Sequence, residues 1–420
     1  MRKSVCVVGG GASGMTAALA ASRAGAKVTL LEHRERVGKK ILLTGNGKCN
    51  LTNLHMNPSA YGETADSLVG QVLAQFDQQD LMDFLHSLGM RLTVNRESYV
   101  YPETEAAATV VNVFRRALAQ NGVSCETETE IKNIGRDNGF TIDTNRGIFR
   151  ADCLILACGG KSYPKTGSDG SGYKLAEKLG VKVNRDYPAL TAFVCKKDGL
   201  KAVAGLRANA KVTLYIDEKP AASDEGQVQF TDYGISGIPV FQVSILASRA
   251  LLERKRVRAK VNLFPELTKE EVRDALRVQV GQFAKLPFEE AMTGFLHKKW
   301  IDYFGKQYEL HRFQNAGSIP KQTLEMLAEE LCALSFPVEQ VKGYDFCQVT
   351  GGGVDLAEVD THLQSVKIPG LYLVGEMLDA VGKCGGYNLQ WAFSTGYIAG
   401  SHAAKENVPE CRGLQRNKKG

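Results

Sequence analysis

The run Val5-Cys6-Val7-Val8, followed by Gly9-Gly10-Gly11-Ala12-Ser13-Gly14 and the alanine-rich stretch Met15 to Ala24, constrains this chain more than any other segment. It reads as a buried strand, a tight glycine turn and a helix of small residues. Gly9 lets the chain turn sharply, Gly11 lets backbone N–H groups approach a pyrophosphate, and Gly14 lets helix and strand pack closely. The N-terminus of the helix that follows then faces the phosphates. After Gly25, a second strand, Lys27 to Leu31, delivers Glu32. An acid about 20 residues past such a turn hydrogen-bonds ribose hydroxyls, and His33 follows it directly. Strand, turn, helix, strand and acid together mark a dinucleotide-binding start, open at this point to NAD or FAD.

Composition bounds the rest. The 420 residues are 44% apolar and 23% charged, which suits a globular chain of two or three domains. No apolar run approaches the roughly 18 residues that cross a bilayer, and Met1-Arg2-Lys3 leads straight into the first strand. The expectation is a cytoplasmic protein without a membrane span. The ten cysteines are scattered without a CxxC pair, and Cys6, Cys153 and Cys158 lie in apolar runs, so reduced, buried thiols are expected. The seven histidines have no partner His four residues away and no flanking cysteine pair, so no metal site is expected. The net charge of +6 is local. Arg254, Lys255, Arg256, Arg258 and Lys260 against Glu253 leave +4, and the tail from Lys405 to Gly420 leaves +3. A basic run without interleaved aromatics reads as a solvated face rather than a nucleic-acid surface, or as attraction for an anionic substrate. The sequence sets no oligomeric state.

Strand-like and helix-like segments alternate up to Tyr187-Pro188-Ala189-Leu190, where the character changes. Residues 1–188 form the first part of a nucleotide domain. Residues 189–265 read as β-rich, with Lys211 to Ile216 and Val257 to Phe264 alternating. Residues 266–342 read as helical, with Thr268 as N-cap, Glu271 three residues on, and helical spacing from Lys321 to Leu334. Residues 343–420 return to the nucleotide domain, through a strand over Ile368 to Gly375, and end in the basic tail. The middle of the chain is thus an insertion.

Three segments favour FAD over NAD. The first runs on past Glu32 through Lys39, Lys40 and Thr44-Gly45-Asn46-Gly47 to Asn50 and Asn53, an extension for which a plain NAD domain has no use. Its lysines suit phosphate or adenosine edges, and its amides and N–H groups suit a flavin ring. The second is Ala151 to Gly160, a strand ending in Ala157, Cys158, Gly159 and Gly160, where small residues bring backbone close to a cofactor. The third joins Gly375-Glu376-Met377-Leu378-Asp379 to Gly385-Gly386-Tyr387-Asn388-Leu389, a glycine turn before a helix whose N-terminus stabilises an anionic reduced flavin.

With GGGASG at 9–14, KKILLTGNGKCNLTN at 39–53, GGKSYPKTGSDGSGY at 159–173, TDYGISG at 231–237, TGGGV at 350–354 and GGYNLQWAFSTG at 385–396, the chain resembles the BaiN-like (YhiN-like) flavoproteins. These are NAD(P)/FAD-dependent oxidoreductases, and the resemblance covers nearly the whole length. It implies an α/β fold: an FAD-binding Rossmann-like domain of the two-dinucleotide-binding-domain type, interrupted by a β-barrel-like insert and a small helical insert. It also implies reduction of a conjugated C=C in a 3-oxo bile acid, with NADH or NADPH as donor and an apolar, anionic small-molecule substrate. The cofactor contacts carried over are Ser13, Gly14, Glu32, Lys40, Asn46, Asn50, Gly375, Glu376, Tyr387, Asn388 and Leu389, with Gly9, Gly11, Ala12, His33, Ala157, Gly159, Asp379 and Gly386 beside them. Ile131, in Glu128-Thr129-Glu130-Ile131, falls where adenine lies against an apolar strand.

Hydride transfer to an enone needs a proton as well, and phenols and thiols can give one. Tyr163, Tyr387 and Cys384 are the candidates, with Tyr233 also weighed. No second glycine fingerprint follows a strand, so no separate nicotinamide domain is expected. Two other functions stay open: an FAD oxidase of a small amine or ketone, similar to aminoacetone oxidase, and a flavin protein acting through a partner such as RNA.

Overall fold

The computed structural model describes residues 2–405; the basic tail beyond Lys405 lies outside them. The chain divides into two compact units, one made of 1–186 with 349–420 and the other of 187–348.

The first unit is built on a five-stranded sheet. Its order is Leu371–Leu373, Cys153–Leu156, Ser4–Val8, Lys27–Leu31 and Ser124–Glu126, every neighbouring pair parallel. The strands Cys153–Leu156 and Leu371–Leu373 are buried throughout and Ser4–Val8 almost so, as parallel strands covered on both faces must be, while the edge strand Ser124–Glu126 is polar and largely exposed. The strand expected over 368–375 narrows to Leu371–Leu373, because Gly370 and Gly375 adopt positive φ on either side. The first helix, Ala12–Arg23, buries its residues through Ala21. Its small side chains serve one purpose, close approach to the last helix, Tyr387–Ala403. A Cβ on Gly396 would stand 2.3 Å from the Ser13 carbonyl oxygen, and one on Gly400 2.2 Å from that of Ala17. The unit also holds two three-stranded antiparallel sheets, one of Ile131–Arg136, Phe140–Thr144 and Gly147–Ala151, the other of Thr52–Asn53, Tyr99–Pro102 and Leu92–Val94.

The second unit holds a closed six-stranded barrel. Its strands run Phe193–Cys195, Gly234–Ser236, Lys219–Phe230, Arg207–Ile216, Val257–Asn262 and Leu334–Val341 around the circle. The last of these comes from the stretch expected to be helical: the helix Lys321–Cys332 ends, and after Ala333 the chain becomes the strand that closes the barrel. Leu334, Phe336 and Val338 point inward while Ser335 and Pro337 alternate with them. The β-rich and helical segments also share one core, in which Phe230, Phe336 and Trp300 meet helix residues such as Leu276 and Leu327. The long helix Ile238–Leu252 lies inside the β-rich stretch, contrary to expectation. The Thr268 capping box forms as expected, with Thr268 Oγ1 accepting from Glu271 N and Glu271 returning the bond at 2.8 Å.

Among the described residues, no helix is long and apolar enough to cross a membrane.

The two helical environments give glycine substitutions of opposite sign. Gly400→Ala forces a methyl into the Ala17 carbonyl and is expected to cost about 1–3 kcal/mol by overpacking. Gly281→Ala, in an exposed helix position with nothing within 4 Å of its Cβ, should gain about 0.5–1 kcal/mol. Denaturant unfolding of both variants measures the two changes.

Candidate active site

The glycine turn is held by backbone contact. Gly9 has φ +105°, its N–H donates to Leu31 O at 2.8 Å, and a Cβ there would stand 2.4 Å from Ala157 O. A Cβ on Gly14 would stand 1.8 Å from Gly9 O. Strand end, turn and helix start therefore touch through main chain alone, and Ala157 is small because it shares that contact. Gly11 differs: nothing lies within 4 Å of its Cβ position, and the helix it caps has no side-chain cap. Space is thus open beside Gly11 at the start of the helix, which is what an anion there requires.

Glu32 is buried beside the turn. Its Oε2 accepts from Gly10 N at 2.7 Å and its Oε1 from Arg34 N at 2.8 Å. His33 Nδ1 lies 3.6 Å from Oε1, while His33 Nε2 is buried without a hydrogen-bond partner. The segment Glu126–Thr129 runs alongside, through Glu32 N to Glu126 O and Thr129 N to Glu32 O, both 2.9 Å. Ile131 follows, half-buried, opening the strand that packs on the same core.

Lys40 joins three distant segments. Its Nζ pairs with Glu376 Oε2 at 2.5 Å and donates to Ser162 Oγ. Ser162 Oγ donates to Glu376 Oε1 at 2.9 Å, and Thr350 N donates to the same oxygen at 2.9 Å. The Thr350 hydroxyl in turn accepts from Lys161 N and Ser162 N at 2.7 and 3.0 Å. Ser162 and Thr350 were not singled out in the sequence; the signal for both was their place inside GGKSYPKTGSDGSGY and TGGGV. Gly159, at φ +72°, packs on Ser168 in the same loop. Gly375, at φ +71°, brings its backbone against Ser13, where a Cβ would stand 2.5 Å from Oγ, and its carbonyl accepts from Trp391 Nε1 at 3.1 Å.

The turn before the last helix is equally tight. A Cβ on Gly386 (φ +95°) would meet the Thr52 backbone at 2.5 Å. The Asn50 amide, oriented to satisfy both partners, donates to Thr52 O at 2.9 Å and accepts from Gly386 N at 3.3 Å. Asn388 spans its own loop, accepting from Gly382 N at 2.9 Å and donating to Gly382 O at 2.8 Å. Asp379 accepts from Gly352 N and from Asn184 at 3.0 and 3.1 Å, so its carboxylate holds chain to chain. Leu389 is half-buried against the core. Asn46 stands exposed at φ 54° between Gly45 and Gly47, at the tip of the extension.

Of the acid candidates, Cys384 and Tyr387 flank the same glycine turn, and Tyr163 and Tyr233 belong to other segments. Tyr163 sits at φ 54° capping a short turn, and its carbonyl accepts from Thr166. Tyr387 donates to His55 O at 3.3 Å, and its own carbonyl accepts from Tyr61 at 2.6 Å. Cys384 is buried next to Gly385. Tyr233 belongs to the second unit, with Lys342 Nζ 3.9 Å above its ring. Burial pushes the Cys49 and Cys158 thiols up to about 12, which keeps them protonated and unreactive near neutral pH.

A family model described as the HI0933-like protein Rossmann domain matches residues 3–402. The chain belongs to this family. That places it among Rossmann-fold flavoprotein oxidoreductases. It is 39% identical over 404 residues to the 3-dehydro-bile acid delta(4,6)-reductase of Clostridium scindens, across 95% of this chain and 98% of that protein. It is 28% identical over 401 residues to the ribosomal RNA dihydrouridine synthase of Escherichia coli, across 93% and 95%. Among solved structures, the open conformation of a flavocytochrome c3 fumarate reductase matches 96% of this chain and 78% of its own, with TM-score 0.48 and 17% identity.

An FAD fits the residues present: a helix N-terminus without a side-chain cap beside open space, a buried carboxylate with lone pairs to spare, and an unpartnered imidazole nitrogen beside it. Glu32→Gln is expected to weaken FAD retention at least about tenfold. The amide must turn its NH₂ toward either the Gly10 or the Arg34 N–H and loses the charge that favours ribose hydroxyls. Cofactor content after desalting, with circular dichroism to check the fold, measures this.

Proposed function

We propose that this protein is an FAD-dependent reductase of a conjugated carbon–carbon double bond, with NADH or NADPH as electron donor and a 3-oxo steroid or bile-acid-like enone as substrate. The observation that carries the reading is the 39% identity to a delta(4,6)-reductase along almost the full length of both chains. The more distant ribosomal RNA relative agrees in chemistry, since making dihydrouridine also saturates a C=C conjugated to a carbonyl.

In this reading the first-turn N–H groups after Gly11 bind the pyrophosphate, and Glu32 takes the ribose hydroxyls. Ile131 lies toward the adenine. Lys40, held by Ser162 and Glu376, fixes the segment that carries Asn46 and Asn50. The N-terminus of the helix from Tyr387, positioned by Gly385 and Gly386, faces the pyrimidine carbonyls and stabilises negative charge there. When bound and reduced, FAD supplies a hydride at N5. The protein's own tasks are to orient the enone, exclude water and deliver a proton to the α-carbon as hydride reaches the β-carbon.

An RNA substrate is the second reading, supported by the ribosomal RNA relative and by cations on the barrel strand Val257–Asn262. There, however, Arg258 pairs with Glu218 at 3.3 Å, and Lys260 lies 4.7 Å from the Tyr215 ring centroid.

Anaerobic, photoreduced holoenzyme should be reoxidised in a single turnover by 3-oxo-4-ene or 3-oxo-4,6-diene bile acids, with the saturated product detected by mass spectrometry. Flavin that stays reduced with every enone, while a ribosomal RNA fragment gains dihydrouridine or oxygen alone reoxidises it, would overturn the steroid reading.

A further inference from the structure

Tyr61, Tyr99 and Tyr387 gather around the turn that opens the last helix, Tyr101 lies two residues beyond Tyr99, and the four hydroxyls are not equivalent. Tyr61 spends its hydroxyl on Tyr387 O at 2.6 Å, and Tyr387 spends its own on His55 O at 3.3 Å. Tyr99 and Tyr101 remain. They are two residues apart on the strand Tyr99–Pro102, both half-buried on one face while Val100 and Pro102 are buried on the other. Tyr99 alone lies against the glycine turn: a Cβ on Gly385 would stand 3.0 Å from its Cε1, 3.2 Å from its Cζ and 3.3 Å from its hydroxyl. Gly385, at φ +113°, is required there for the phenol to reach the backbone. Tyr101 instead points toward the extension, with its Cε1 3.7 Å from the Cβ position of Gly45.

The Tyr99 main chain is fixed. It pairs with Asn53 in the small sheet, its N–H donates to Asn95 Oδ1 at 2.9 Å, and its carbonyl accepts from Asn95 N at 3.0 Å. Asn53 in turn donates to Gly385 O at 3.2 Å, so one strand pair positions both the phenol and the turn. The Tyr99 hydroxyl makes no hydrogen bond to protein among the described residues.

We propose that Tyr99 is the catalytic acid: its phenol donates the proton to the α-carbon of the enone as hydride arrives at the β-carbon. This rests on the reductase reading above. The hydride brings two electrons from reduced flavin and forms the β C–H bond. The π pair of the double bond, carried as the enolate, takes the Tyr99 proton and forms the α C–H bond. Flavin is left oxidised, the enone saturated, and the phenolate recovers a proton from water. Burial raises the Tyr99 pKa, and Glu97, Cys384, Tyr101 and Tyr387 around it all push it further the same way. The group therefore stays a proton donor through neutral and mildly alkaline pH.

The test separates the two half-reactions. Tyr99→Phe keeps the ring against Gly385 and should retain FAD content and the rate of flavin reduction by its donor. Single-turnover reoxidation by the enone should slow by about 10²-fold or more, the usual worth of a positioned acid. In wild type that reoxidation rate should fall only above the ordinary tyrosine range, and this alkaline limb should vanish in Tyr99→Phe. Wild type that turns over while Tyr99→Phe keeps its rate, or loses it together with FAD, overturns the assignment of Tyr99 alone. The same loss in Tyr101→Phe with Tyr99→Phe unaffected would do so as well. Wild type that no enone reoxidises would remove the reductase reading, and this inference with it.

Discussion

The first unit depends on main chain touching main chain. Gly9 against Ala157, Gly14 against Gly9, and Gly396 and Gly400 against Ser13 and Ala17 bring strand ends and two helices closer than any side chain allows. The first helix can then begin at the sheet's carboxyl edge without a side-chain cap, and the last helix can lie along it. A methyl at any of these positions would separate the elements that the site needs together.

Around that contact the polar residues divide into two kinds. Some are tied to protein: Asn388 to its own loop, Asp379 to Gly352 and Asn184, Asn50 to Gly386 and Thr52. They shape the site through the backbone. Others retain capacity for a ligand, including the helix N-terminus after Gly11, the imidazole of His33 and the phenol of Tyr99. Glu32 does both, since a carboxylate has lone pairs to spare beyond the Gly10 and Arg34 bonds. The Lys40, Ser162 and Glu376 cluster links the extension to two strand ends, and an ion pair with added hydrogen bonds suits that partly buried place.

What was legible in the sequence was local. Val5 to Glu32 announces itself because turn chemistry, helix composition and the acid lie within one short unit, and the Thr268 capping box because its partners are three residues apart. The barrel strand Leu334–Val341 was missed because only Ala333 separates it from a helix, with no glycine or proline turn to mark the change; its alternation was present but read as helical. The Ser162–Glu376 bond joins residues far apart in sequence, and no local pattern points to it. Tyr99 lay outside every motif that carried the resemblance, and only its register opposite Asn53 brings it to Gly385.

The proposed function requires a nicotinamide-driven flavin at this site, and the most direct measurement is anaerobic stopped-flow mixing of the purified holoenzyme with NADH and, separately, NADPH. The account predicts rapid loss of the oxidised flavin band with one of the two, which also identifies the donor. An unchanged band with both, in protein that carries stoichiometric FAD, would contradict it.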